Sequence, residues 1–367
     1  MAVAINKWFG RMVGILLHAL GVSFRMRRQC RSLSQFGANA DKTLSSTLQT
    51  ASAPAVQSLP LPSMAAGLVM ALLGAICFSG KAIIVKLAYR HGVDAMTLLM
   101  LRMLLALPFF VAMAWWAGRG RDGAPTVPLS RKDALGVLWL GFTGYYLASF
   151  LDFAGLAYIS ASFERLVLYL NPTLVLILGA LLYRRAISGF QWAGLAISYG
   201  GVVLVFGHEV RLTGDDVWLG AGLVFGSAVS YALYLSYSGE MVRRLGSLRL
   251  VGLASCVACV FCIGQFALLR PLTVLQDLNA TVWWLSLVNA TACTVVPVVL
   301  VMMGIERLGA GLAAQVGMVG PMSTLAMAAI FLGEPLTPWV LGGTVLVMGG
   351  VFVCTRSKTP TMDGNKG

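Results

Sequence analysis

Ten blocks of apolar residues run along this chain, each long enough to cross about 30 Å of hydrocarbon as a helix rising about 1.5 Å per residue. They cover approximately 64–87, 95–117, 134–157, 161–182, 188–207, 216–237, 248–269, 281–304, 309–332 and 337–355. The first, "MAAGLVMALLGAICFSGKAIIVKL", and the last, "PWVLGGTVLVMGGVFVC", are the clearest. The polar stretches between blocks are mostly short, so consecutive helices are antiparallel and almost no chain is left for a soluble domain. The pattern predicts an all-α integral membrane protein with ten transmembrane helices.

An internal repeat organises the ten. A shift of 149 residues lays Gly155 on Gly304, Ala161 on Ala310, Pro172 on Pro321, Ala180 on Ala329, Gly194 on Gly343, and Gly200-Gly201-Val202 on Gly349-Gly350-Val351. Each half then holds five spans, 64–207 and 208–355. An odd number of spans per half forces the halves to enter the membrane from opposite sides, which makes them two inverted five-helix repeats. That architecture belongs to alternating-access transporters.

Composition agrees with the pattern: 58% of the 367 residues are hydrophobic and only 11% charged, against about 25% charged in soluble domains. The net charge of +13 follows from topology and needs no nucleic acid. With a cytoplasmic N-terminus, the inner loops hold Arg119, Arg121, Arg131, Lys132, Arg184, Arg185, Arg243, Arg244, Arg249 and Arg307, and the tail at 356–367 adds Arg356, Lys358 and Lys366. The outer loops hold Arg90, Arg211 and Arg270. By the positive-inside rule both termini are cytoplasmic. Trp115, Trp116, Trp218, Trp283, Trp284 and Trp339 fall near span ends, as interfacial aromatics do.

Residues 1–63 are basic, with Asp41 their single acid. Three readings stand: an amphipathic surface helix, an Arg-rich transit segment, or a poorly ordered extension with the functional unit opening at Met64.

The segments "FLGEPLTPWVLGGTVLVMGGVFV", "LLYRRAISGFQWAGLAISYGGVVLVF" and "FSGKAIIVKLAYRHGVDAMTLLMLRMLLALPFF" resemble the EamA-type group of the drug/metabolite transporter superfamily, over about 64–355. The resemblance implies a cavity lined mainly by spans one, three, four, six, eight and nine, and export of a small metabolite, amino acid or drug across a bacterial inner membrane. It implies no cofactor and no catalysis. Homodimerisation and a proton as coupling ion are open. One departure is visible: Arg185 stands in the first half where the second has the Glu334 of "GE".

Charges inside the spans are the candidate chemistry. An ionised side chain at mid-helix costs about 2.5–3.5 kcal/mol on the insertion scale, so Lys81, Arg102, Asp152, Glu164 and Arg165 should face a partner, the protein interior or water. If they share a cavity its balance is +1, which favours an anionic or zwitterionic solute; alternatively they pair only to hold helices in register. Asp152 is expected to pair with Arg102 or Arg165, and Asp152 or Glu164 is the group a proton would titrate. Pro172 and Pro321, at matched positions, should kink their helices and act as gates. Asn171 and Gln315 add polar groups near those kinks, and Tyr146 and Tyr234 are candidate aromatic walls.

Other chemistries find little footing. Cys256, Cys259 and Cys262 are three apart, but no His or carboxylate accompanies them, so they read as packing residues rather than a metal site. His18, His91 and His208 all fall at ends or loops, which weakens hydrolase and metalloprotease readings. No P-loop supports ATP-driven transport. The alternatives to a transporter are an intramembrane enzyme on apolar substrates and a non-transporting sensor.

Overall fold

The computed structural model describes residues 61–119, 128–183, 186–214 and 216–356. Ten helices there are long and apolar enough to span a membrane: α1 (Met64–Tyr89), α2 (Ala95–Gly118), α3 (Arg131–Leu156), α4 (Ala161–Leu182), α5 (Gly189–Arg211), α6 (Asp216–Leu245), α7 (Ser247–Leu269), α8 (Ala280–Leu308), α9 (Gln315–Leu332) and α10 (Pro338–Thr355). The described residues contain no strand. Most of the extension at 1–63, the tail beyond Arg356, and Arg121, Arg184 and Arg185 lie outside them.

In hydrocarbon each backbone N–H and C=O must bond within its own segment, which is why apolar blocks of this length become helices. Their starts are written in polar residues. Asp94 accepts from the Thr97 amide at the head of α2, Ser130 and Asp133 form a reciprocal capping box at α3, Ser160 caps α4, and Ser188 with Gln191 repeats the box at α5. Gly246 and Gly309, with φ of 82° and 78°, make the tight links from α6 to α7 and from α8 to α9.

The halves interleave rather than packing as separate bodies. α1 lies along α8, and its repeat counterpart α6 lies along α3; α2 packs on α7, and α5 on α10. These pairings map onto themselves when the halves are exchanged, as a twofold axis in the membrane plane requires. The α5–α10 contact shows the symmetry at atomic scale. A Cβ on Gly194 would stand 2.7 Å from the Gly350 carbonyl oxygen, and one on Gly201 would stand 2.8 Å from the Gly343 oxygen. Under the 149-residue shift these two contacts are the same contact. Lipid tails are as apolar as leucine, so helix association in a bilayer depends on such close approach.

Two features depart from the sequence expectation. Pro172 and Pro321 do not bend continuous helices: α4 is interrupted at Tyr169–Leu170 and α9 at Met318, and each proline stands in the first turn of the resumed helix, where its missing N–H is not needed. The second is a set of π-helical turns: Phe142–Leu147 in α3 and Thr291–Val295 in α8, at equivalent repeat positions, and Ala328–Leu332 at the end of α9. The wider turn leaves carbonyls exposed to side chains. Ser230 donates to the Thr143 carbonyl at 2.8 Å, and Thr294 donates to its own Asn289 carbonyl at 2.7 Å.

Candidate functional site

A central cavity of about 440 Å³ lies between the two repeats. Its walls come from α1, α2, α3, α4, α6, α7, α8 and α9, while α5 and α10 stand outside it. The six spans implied by the family resemblance are present; α2 contributes Arg102, Met103 and Phe110, and α7 contributes Val251 and Ser255, in addition. The inverted repeat extends to the lining. Tyr145 and Thr294, Ala148 and Pro297, Ser149 and Val298, Asp152 and Val301 are pairs related by the 149-residue shift, and all eight line the cavity. The π-turns lie at or just before these positions on both α3 and α8.

Five ionisable side chains are buried at one end of this space. Relative exposures are 6% for Lys81, 7% for Arg102, 2% for Asp152, 0% for Glu164 and 8% for Arg165. Lys81 serves both carboxylates: its Nζ is 2.5 Å from Asp152 Oδ2 and 3.4 Å from Glu164 Oε1. This corrects the expected pairing of Asp152 with Arg102 or Arg165. Depth along a helix does not say which helices are neighbours, and α1 contacts both α3 and α4. Arg102 Nε instead donates to Thr294 Oγ1 at 2.9 Å, and Arg165 Nη2 donates to Ser79 Oγ at 2.8 Å. Each guanidinium also lies over an aromatic ring, Arg102 at 5.1 Å from the centre of Phe153 and Arg165 at 5.2 Å from that of Phe78.

Lys81, Arg102, Asp152, Arg165, Asn171 and Pro321 face the cavity. Glu164 lies behind the wall, with Lys81 Nζ at 3.4 Å from its Oε1. Tyr146 and Tyr234 do not line it; Tyr145 and Tyr231 do. One residue along a helix is a turn of about 100°, so Tyr146 points instead into a cluster with Phe142, Phe150 and Phe261. Tyr234 supports Tyr145 from behind, hydroxyl to hydroxyl at 3.3 Å. Gln315 and Pro172 are exposed and outside the lining. Cys256, Cys259 and Cys262 are buried against α2, where Cys259 Sγ is 3.3 Å from the Met103 carbonyl.

Beyond the charged cluster, polar contacts bridge the helix ends that carry Tyr89, Leu156, Ala161 and Leu332. Glu334, just past α9, accepts from the Ala161 amide at 2.8 Å, the Ser162 amide at 3.1 Å and the Ser162 hydroxyl at 2.6 Å. A carboxylate there satisfies the orphan donors of the α4 N-terminus. Arg90 donates to the Leu332 carbonyl at 2.7 Å, Ser160 donates to Glu209, and Tyr89 donates to the Phe153 carbonyl at 2.6 Å. The Glu334 and Arg90 bonds tie the second repeat to the first, and the other two join helices within the first. In the other direction the walls continue to Val251 and Met302, toward the helix ends that hold Arg131, Lys132, Arg243, Arg244, Arg249 and Arg307. Sequence reasoning named Glu334 only as the counterpart of Arg185; the "GE" after a span was the available signal.

Ten apolar helices in interleaved halves around a central polar-ended cavity define a multi-pass membrane transporter. The EamA-like transporter family model matches residues 65–207 and 218–356, and the chain belongs to that family. Among curated relatives, the uncharacterized transporter YcbK of Bacillus subtilis is 33% identical over 301 residues, covering 78% of this chain and 91% of its own. A WAT1-related protein of Arabidopsis thaliana is 25% identical over 331 residues, covering 78% and 88%. One solved crystal structure shares the fold with a TM-score of 0.55 at 16% identity, over 79% of this chain and 96% of its own.

Proposed function

We propose that the chain is a secondary active exporter that moves a small metabolite, amino acid or drug by alternating access through the central cavity. The observation that carries this reading is the cavity itself: positions equivalent under the inverted repeat line it from both halves, while one of its ends is bridged by Glu334, Arg90 and Ser160. Exchanging the conformations of two inverted repeats turns a cavity closed at one end into one closed at the other. The arginines and lysine at the far ends of α2, α3, α6 and α8 support a cytoplasmic location for that side and for both termini. The conformation is then inward-facing, in a bacterial inner membrane. Asp152 and Glu164, both against Lys81, are the groups through which a proton would couple, since protonating either weakens its hold on the ammonium.

The test is a reversible lock. In a chain with its seven cysteines replaced by serine, Ser162→Cys and Glu334→Cys would be joined by a thiol cross-linker and the protein reconstituted in liposomes with labelled amino acids and small organic acids. Saturable flux that is abolished by the cross-link and restored by its cleavage is expected. Flux indifferent to the lock would sink alternating access.

A further inference from the structure

The buried charges do not balance. Lys81, Arg102 and Arg165 stand against Asp152 and Glu164, so the cluster carries an excess positive charge with both acids ionised and a larger one if either takes a proton; arginine stays charged in either case. Nor is the excess spread evenly. Lys81 is the cation within 4.0 Å of both carboxylates, and among the described residues neither Arg102 nor Arg165 has a carboxylate that close. Among the described residues their side-chain acceptors are the hydroxyls of Thr294 and Ser79. Arg102 Nη1 and Arg165 Nε are buried with no acceptor at all. Both arginines line the cavity, beside otherwise apolar walls such as Phe78, Met103, Phe110, Val298 and Met302.

Each guanidinium keeps a buried N–H without an acceptor and no carboxylate within 4.0 Å among the described residues, and the cavity is where a further counter-charge can enter. We propose that Arg102 and Arg165 form the anion pole of the solute site, and that the solute is an organic monoanion: a carboxylate head held by the two guanidinium groups and an apolar body lying along the Phe78–Phe110 walls. This rests on the transport reading above and names its substrate class. A carboxylate suits the donors because its two oxygens match the planar fork of N–H groups, and it brings the negative charge the cluster lacks. A zwitterion would leave the excess uncancelled, a neutral amide would leave it whole, and an amine would add to it.

The experiment is a charge series on one apolar body. The purified full chain is titrated calorimetrically with 3-phenylpropanoate, 3-phenylpropanamide, phenylalanine and 3-phenylpropylamine. The carboxylate is expected to bind at least about tenfold more tightly than the amide or the zwitterion, the value of one charge-assisted hydrogen bond, and the amine not to bind. Arg102→Gln and Arg165→Gln should each lower carboxylate affinity about tenfold and leave the amide unchanged, with Arg165→Lys intermediate. Equal affinity across the series, no binding by any of the four at millimolar concentration, or full carboxylate affinity in both Gln variants overturns the proposal; the wild-type series decides alone if a variant fails to fold. Counterflow in liposomes separates this from the transport reading. Phenylalanine carried as well as the carboxylate removes the anion site and leaves transport, whereas carboxylate binding without any flux removes transport and leaves the site.

Discussion

Glu334→Ala should shift the balance between the two ends of the transporter. Its carboxylate accepts three hydrogen bonds, at 2.8, 3.1 and 2.6 Å, from the amides of Ala161 and Ser162 and the Ser162 hydroxyl. A charge-assisted hydrogen bond contributes about 1.5–3 kcal/mol net, and a carboxylate at a helix N-terminus about 0.3–1 kcal/mol more. The three share one half-buried carboxylate and the freed amides regain water, so they do not sum, and about 2–3 kcal/mol is the expected loss to the conformation closed at this end. At about 1.4 kcal/mol per factor of ten, the population open at the Glu334 end rises about 30- to 140-fold. A cysteine replacing Ser149, which lines the cavity, reports this in an otherwise cysteine-free chain: a membrane-impermeant maleimide applied from the Glu334 side should label it faster by that factor. Glu334→Gln, which keeps an acceptor and loses the charge, should give roughly half the effect in free energy. A labelling rate within about threefold of wild type, or about 0.7 kcal/mol, in a protein that is folded and monodisperse would refute the assignment of Glu334 as the latch.

Three further outcomes follow from the packing and the ion cluster. Lys81→Met leaves Asp152 and Glu164 buried without their shared cation and should cost about 3–5 kcal/mol of stability, read as a lowered melting temperature in detergent; adding Asp152→Asn should recover part of the loss, and equal stability of Lys81→Met and wild type would contradict the pairing. Gly350→Ala places a Cβ 2.5 Å from the Gly194 carbonyl oxygen and should destabilise by about 1–3 kcal/mol, whereas Gly349→Ala, with nothing within 4 Å, should be neutral; equal melting temperatures for the two would remove the close-packed α5–α10 seam. Gln315→Ala, at an exposed site outside the cavity, should leave solute flux unchanged in liposomes, and a large drop in flux would mean the cavity lining extends farther along α9 than its walls indicate.

The sequence alone determined the class, the number of spans and their inverted order. Apolar blocks leave a backbone in hydrocarbon no choice but a helix, an odd number of them inverts the second half, and matched residues such as Gly194 with Gly343 and Gly201 with Gly350 fix the register of the repeat. It also identified the five costly charges, since any ionisable group in an apolar block must be explained. Only the tertiary structure decided which partner each charge takes and which face of each helix looks inward. A soluble helix shows its inner face as an apolar stripe, but here lipid and protein interior are equally apolar, so nothing in the sequence separates Tyr145 from Tyr146, or Tyr231 from Tyr234. The π-turns at Phe142–Leu147 and Thr291–Val295 add a rotation that no local residue pattern announces. Lys81 pairs with Asp152 and Glu164 because α1, α3 and α4 are neighbours in space, and that neighbourhood is a property of the interleaved halves rather than of any one segment.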